Sequence, residues 1–170
     1  MKAVGFGGRQ GGHPGRPAGP LQEVGNIWDH FAIEFEYPNG VHVSSYCTHL
    51  QGVKTDQSES VWGTKGSSYI TGYQINKKPV AERRGAINPY VQEHIDLIQS
   101  IKAGKPLNEL QAVTESTMTA ILGRTAAYSG KELKWDDMLK SEVATMPVGL
   151  TMDMALDAPP VPVPGPKFKV

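Results

Sequence analysis

The sequence predicts an α+β domain with an open, mostly antiparallel β-sheet and helices packed on one of its faces. Three observations carry that fold class. Apolar residues alternate with polar ones only in the first half of the chain, and they recur at helical spacing only in the second half. Between the two best strands stands Pro38-Asn39-Gly40, a turn too short for anything but an antiparallel connection. Strands followed by helices, rather than alternating with them, set the chain apart from parallel βαβ architectures.

In chain order, residues 2–6 read as a short strand. Residues 7–25 read as a loop, because Gly7, Gly8, Gly11, Gly12, Pro14, Gly15, Pro17, Gly19 and Pro20 leave no regular element room to form. An irregular stretch of that length in a compact domain is functional or disordered. A hairpin follows, in which Phe31, Ile33, Phe35 and Tyr37 share one face and Ala32, Glu34 and Glu36 the other. Pro38 fixes φ while Asn39 and Gly40 tolerate φ > 0, closing a three-residue loop. That loop pairs Tyr37 with Val41, Phe35 with Val43, Ile33 with Ser45, Phe31 with Cys47 and, at the open end, Asp29 with His49. A slip of one residue would set the aromatics against His42, Ser44 and Tyr46 and turn the return strand's apolar set to the wrong face.

Residues 56–64 and 67–70 form a second pair of strands around Gly63-Thr64-Lys65-Gly66, and 73–75 add a further candidate. Asn88-Pro89 is an N-cap with proline at the first helical position. Tyr90, Val91, His94, Ile95, Leu97, Ile98 and Ile101 then repeat at helical spacing until Gly104 and Pro106. A second helix spans about 108–129, with Leu110, Val113, Thr117, Ala120 and Ile121 on its inner side and Gly130 as its C′ residue. Its small residues, Ser116, Thr119, Ala120, Gly123, Ala126 and Ala127, permit close approach to a sheet or another helix. Leu133-Lys134-Trp135 reads as an edge strand, with Asp136 capping a last short helix. Residues 1–150 make up the domain, and 151–170 a Pro-rich tail that is extended because proline removes donors and favours polyproline II.

A chain of 170 residues can bury a core without staples. Lys+Arg and Asp+Glu are both 17, so no net field draws it to nucleic acid or to an anionic membrane, and neither is expected as a partner. The single Cys47 excludes an internal disulfide and suits a reducing compartment. No apolar run approaches the roughly 18 residues of a membrane span, and Met1-Lys2-Ala3-Val4-Gly5-Phe6-Gly7 lacks a signal-peptide core. The expectation is a soluble, cytoplasmic protein.

Gly5-Phe6-Gly7-Gly8-Arg9-Gln10 after a strand invites a dinucleotide-binding reading. It fails, because Gln10 stands where glycine is needed and His13-Pro14-Gly15-Arg16-Pro17 forbids the helix that would hold a pyrophosphate. Gly63-Thr64-Lys65-Gly66 lacks the upstream glycine of a Walker loop. His30, His42 and His49 have no metal-ligand spacing, Cys47 has no thiol partner, and no serine sits in a nucleophile elbow. Asp29 beside His49, with His30 on the other face, suits an acid-oriented histidine for proton transfer. The same pair also serves as a strand-end hydrogen bond, which is the commoner case. Arg9 and Arg16 in the Gly-rich loop suit a sugar hydroxyl or a phosphate. Tyr90 and His94, one turn apart, have the spacing of core or interface residues. Arg9, Asp29, His30 and His49 fall at one end of the sheet, and Tyr90 joins them if its helix starts there. These five are the candidate substrate-binding residues, and no residue is assigned to catalysis, cofactor or metal.

Gly7-Gly8-Arg9-Gln10, Gly25-Asn26-Ile27-Trp28-Asp29-His30-Phe31-Ala32, Tyr37-Pro38-Asn39-Gly40-Val41, Gly63-Thr64-Lys65-Gly66, Asn88-Pro89-Tyr90 with Glu93-His94, Gly104-Lys105-Pro106-Leu107-Asn108-Glu109 and Ser116–Arg124 continuing to Tyr128-Ser129-Gly130-Lys131 follow one another in a familiar order. Together, down to the closing Pro164-Gly165-Pro166-Lys167-Phe168, they resemble the C-terminal half of Gfo/Idh/MocA oxidoreductases, named for glucose-fructose oxidoreductase and inositol dehydrogenase. The resemblance implies a two-domain parent. Its N-terminal Rossmann domain binds NAD(P), and its C-terminal domain carries substrate contacts and oligomer interfaces on an open antiparallel sheet.

In that family hydride passes between nicotinamide and a sugar or cyclitol carbon, assisted by the lysine of a Glu-Lys-Pro motif and by an Asp…His pair, and neither motif is present here. The resemblance therefore implies a substrate-binding and oligomerising portion that is inactive alone. It implies a sugar-like substrate, self-association through the open sheet face, NAD(P) for the parent and no cofactor in this chain. The alternative is a stand-alone binding or assembly domain that has lost its cofactor half.

Overall fold

A computed structural model of the chain describes residues 1–10, 25–50, 52–54, 56–80, 88–144, 146–156 and 159–164. From 11 to 24 the expected loop, Arg16 included, lies outside them. In chain order the elements are β1 (Lys2–Gly8), β2 (His30–Glu36), β3 (His42–Thr48), β4 (Ser60–Gly63), β5 (Gly66–Tyr69), β6 (Gln74–Ile75), β7 (Lys78–Pro79), α1 (Pro89–Ala103), α2 (Leu110–Ser129), β8 (Leu133–Lys134) and α3 (Trp135–Leu139). They fall into two compact units, Met1–Val53 with Leu110–Val170, and Lys54–Glu109. Both sheets are antiparallel, giving an α+β fold. No helix among the described residues is long and apolar enough to cross a membrane.

The sheet of the first unit has the order β3-β2-β1-β8. Its hairpin takes the expected register, Phe35 opposite Val43, Ile33 opposite Ser45 and Phe31 opposite Cys47. Tyr37 N–H donates to the Val41 carbonyl at 2.9 Å and Gly40 N–H to the Tyr37 carbonyl at 2.9 Å. Gly40 sits in the left-handed region at φ 75°, as a three-residue loop demands. Because β1 pairs Ala3 with Phe35, Gly5 with Ile33 and Gly7 with Phe31, those six residues share the face that α2 covers. Ala3, Phe35, Leu122, Ala126, Leu133 and Met138 form the core, with Met1, Ile33, Met118, Ile121 and Trp135 packed around it.

Glycine sets the spacing between helix and sheet. A Cβ on Gly123 would lie 2.7 Å from Phe35 Cζ, and one on Gly5 would lie 3.1 Å from Ile33 Cγ1 and 3.3 Å from Ala127 Cβ. The inner side of α2 differs from the expected one. Leu110 is 71% exposed and Val113 56%, Thr117 and Ala120 are exposed as well, and burial begins at Leu122 and continues through Gly123, Thr125, Ala126, Ala127, Tyr128 and Ser129. The stripe that meets the sheet includes the small residues that the sequence marks for close approach, Gly123, Ala126 and Ala127. Inside it, Thr125 Oγ1 donates to the Ile121 carbonyl at 2.7 Å and Ser129 Oγ to the Ala126 carbonyl at 3.2 Å, so the buried hydroxyls are satisfied within the helix.

Asp136 does not cap α3. Trp135 N–H donates to the Met1 carbonyl at 3.0 Å, which ends β8 and starts the helix two residues earlier, with Lys134 at the N-cap and Asp136 in the first turn.

In the second unit β4, β5, β6 and β7 form a meander in that order. β4 and β5 meet across Thr64-Lys65 with Gly63 opposite Gly66. A two-residue turn joins β6 to β7, with Asn76 at φ 49° and Lys77 at φ 63°, the paired left-handed conformation of a type I′ hairpin. Helix α1 begins and ends as its sequence predicts. Asn88 Oδ1 accepts the Tyr90 N–H at 3.0 Å, Pro89 takes the first position, and Gly104 at φ 64° closes the last turn. No residue of α1 is buried.

Candidate functional site

Three strand ends meet at Asp29. Asp29 N–H donates to the Gly8 carbonyl at the end of β1 (3.0 Å), and the Asp29 carbonyl accepts His49 N–H from the end of β3 (2.8 Å). The Asp29 carboxylate, 11% exposed, accepts the backbone N–H of Gln10 at 2.9 Å on Oδ2 and holds Nδ1 of His30 at 2.7 Å on Oδ1. In the neutral ring this bond puts the proton on Nδ1 and leaves Nε2 as an acceptor; in the charged ring both nitrogens donate. The His30 side chain is 36% exposed, so solute reaches it.

The glycines that invite a dinucleotide reading make room for this pair. A Cβ on Gly7 would collide with the His30 carbonyl and come within 2.9 Å of Trp28 Cε3, and one on Gly8 would stand 3.4 Å from His30 Cε1. Gly7 and Gly8 thus leave room for Trp28 and His30, on a strand antiparallel to both its neighbours. Arg9 Nη1 donates to the Gly25 carbonyl and ties the start of the Gly-rich segment to the residues that lead into β2.

Arg9, Asp29, His30 and His49 thus come to one end of one sheet. Asp29 and His49 meet through the main chain, and the ring shown on the Asp29 carboxylate is that of His30, the histidine expected on the other face. A strand's first residue is free to swing its ring back toward the preceding side chain, and period-2 reasoning does not foresee that swing. Gln10 N–H was missed as well, since nothing in its residue type marks a backbone donor. Tyr90 belongs to the second unit, on the exposed first turn of α1, where its carbonyl accepts from His94 Nδ1 at 2.6 Å.

The sheet face opposite α2, expected to be open, carries a second feature whose lining the sequence reading did not name. Val4, Phe6, Ala32, Glu34 and Tyr46 line an open depression of about 230 Å³. Beside it Glu34 Oε1 holds His42 Nδ1 at 2.9 Å and Oε2 accepts the Ser44 hydroxyl at 2.5 Å. The Ser44 hydroxyl first, and His42 with it, hold the Glu34 carboxyl below its usual range. Because the carboxylate stands between hydroxyl and imidazole, this arrangement gives Ser44 no histidine base. The signal was present in β1, where Val4 and Phe6 alternate with core-facing Ala3 and Gly5 and make both faces apolar.

Among the described residues no group of three or more His, Cys, Asp or Glu is placed to hold a metal ion. No protein-family model, no curated protein and no solved structure matches the chain.

Proposed function

We propose that this chain is the substrate-contacting and self-associating part of an NAD(P)-dependent oxidoreductase that acts on a sugar, cyclitol or related polyol, and that it does not turn over substrate alone. The Asp29–His30 pair is the observation that carries this reading. A mostly buried carboxylate, fixed by a backbone amide, orients an accessible imidazole. Such a ring accepts a hydrogen bond from a substrate hydroxyl at Nε2. Arg9 offers further N–H donors for a hydroxyl or carboxylate, and His49 stands at the rim. The cofactor belongs to the family the sequence resembles, and no residue of this chain is assigned to it. The apolar open face of Val4, Phe6, Ala32 and Tyr46 is the proposed contact between copies. The lone, exposed Cys47 supports a reducing, cytoplasmic setting.

Histidine ring resonances followed by NMR during titration with myo-inositol, glucose and gluconate test the site. The expected result is a saturable shift of His30 at about 1–10 mM, the affinity of a few hydrogen bonds, which Asp29→Asn weakens. No shift of His30 with any of the three overturns the substrate reading. A chain that ignores all three yet runs as a dimer or tetramer in light scattering favours the alternative, a stand-alone assembly domain. A strictly monomeric mass at tens of micromolar removes the self-association instead.

A further inference from the structure

Residues 159–164, Pro159-Pro160-Val161-Pro162-Val163-Pro164, do not pair with any strand, yet they are held at defined points on the first unit. The Trp28 indole N–H donates to the Pro162 carbonyl at 3.0 Å, and Asn26 Nδ2 to the Pro160 carbonyl at 3.4 Å. Val161 packs against a buried cluster of Trp28, Ala127 and Tyr128. In the aromatic wall Trp28 meets Tyr128 edge-on at 4.5 Å between ring centres, and Phe31 stands 5.5 Å from Trp28 and 5.6 Å from Tyr128. Gly130 leaves the wall open at its far end, where a Cβ would touch Pro164 at 3.4 Å.

Proline explains this pattern of contacts. Four prolines fix φ in the segment, and each residue before a proline is pushed to extended angles, so the chain is set in a polyproline-II form before it binds. That helix repeats every three residues and has no internal hydrogen bonds. Val161 and Pro164 therefore fall on one edge, toward the wall, while Val163 turns outward. The carbonyls, unused by any ladder, are free to accept. An indole N–H that reads a carbonyl beside an aromatic wall that reads an aliphatic side chain is the chemistry by which Pro-rich peptides are recognised.

We propose that Asn26, Trp28, Phe31 and Tyr128 form a binding site for a polyproline-II peptide of the type Pro-Pro-Val-Pro-Val-Pro, that the chain's own residues 159–164 are its resident ligand, and that the site takes the same peptide from solution when vacated. A tethered segment acts at an effective concentration in the millimolar range, so the intact chain leaves no vacancy for a weak peptide.

The test uses the full chain and the exchange rates of its indole N–H groups, with Trp62, 79% exposed, as the internal reference. In wild type the Trp28 indole exchanges at least about 10-fold more slowly than that of Trp62, and added hexapeptide changes nothing. Val161→Asp sets a charge against Trp28 and Tyr128, expels the segment and brings the two rates together. Adding the hexapeptide Pro-Pro-Val-Pro-Val-Pro then restores Trp28 protection saturably, at about 10 mM or below. Val161→Ser, which removes the aliphatic contact without burying a charge, gives the same result more weakly and serves if the aspartate variant does not fold. Equal Trp28 and Trp62 rates in wild type, or a saturable response of wild type to the peptide, overturn the resident ligand. A vacated site that the peptide fails to protect overturns the recognition site and leaves only packing of a tethered tail.

Discussion

Helices α1 and α2 belong to different units, both are ended by a left-handed glycine, and both carry apolar residues at helical spacing, yet α2 buries seven residues and α1 buries none. The difference lies in side-chain size. Where α2 meets its sheet, Gly123 lies against Phe35 and Ile33, Ala127 against Gly5, and Ala126 joins Ala3 in the core, so the two backbones come close enough for Phe35 and Leu122 to be sealed. Helix α1 has large residues at its apolar positions and no such glycine or alanine stripe. Caps and periodicity decide that a helix forms, whereas small residues decide how closely it packs.

That contrast breaks first at Leu122. Leu122→Ala should cost about 2–5 kcal/mol because it opens a cavity at a fully buried position. Ile101→Ala on the exposed face of α1 should stay within about 0.5 kcal/mol. Urea unfolding measures both, and equal costs would mean that α1 is covered in solution.

The glycines sharpen it. Gly123→Ala, with Phe35 Cζ only 2.7 Å from the new methyl, should cost about 1–3 kcal/mol through overpacking. Gly104→Ala, which meets nothing within 4 Å but must adopt φ 64°, should cost about 1 kcal/mol through backbone strain alone. A Gly104→Asn variant, tolerant of that angle, should recover part of the loss, and the same change at Gly123 should recover none. Amide exchange separates the two units without any substitution. Amides of β2 should open only with global unfolding and exchange at least about 10-fold more slowly than those of α1, which open locally.

The smallest effect is electrostatic. Lys2 bridges Glu36 at 3.0 Å and Glu132 at 3.1 Å, and these carboxylates, Glu36 foremost, raise its pKa. Its contribution is therefore complete below the ordinary lysine value of about 10.4 and lost as pH rises through the folded value above it. Glu34, lowered by Ser44 and His42, behaves oppositely: its contribution is present above the ordinary glutamate value of about 4.3 and lost as pH falls through the folded value beneath it. The Tm difference between wild type and Lys2→Met should close at the alkaline end, that of Glu34→Gln at the acid end, and a gap that persists at either end would remove the cause assigned to it.

The hairpin register was legible because turn length and a period of two fix it together, and α1 was legible because Asn88, Pro89 and Gly104 each act locally. In α2 the close approach was legible from Gly123, Ala126 and Ala127, whereas the apolar pattern set the inner side at Leu110 and Val113, which the structure leaves exposed. At the candidate site, the meeting of Asp29 with the end of β3 followed from register. The contact of His30 with the Asp29 carboxylate depended on a rotamer, and the Gln10 amide on the path of the chain after Gly8. The seat of residues 159–164 was invisible for another reason: proline sets the shape of a segment without saying what it touches.

Lys2 pairs with Lys134, Ala3 with Leu133, and the Met1 carbonyl takes the Trp135 amide. A ribosome that adds about 5–20 residues per second finishes the β2–β3 hairpin on the order of ten seconds before α2, β8 and α3 have all emerged. Through that interval Phe31, Ile33 and Phe35 have strands beside them and no helix above them. The nascent chain is thus a sheet waiting for its lid, and its final closure joins residues far apart in sequence, the kind of contact that makes folding slow.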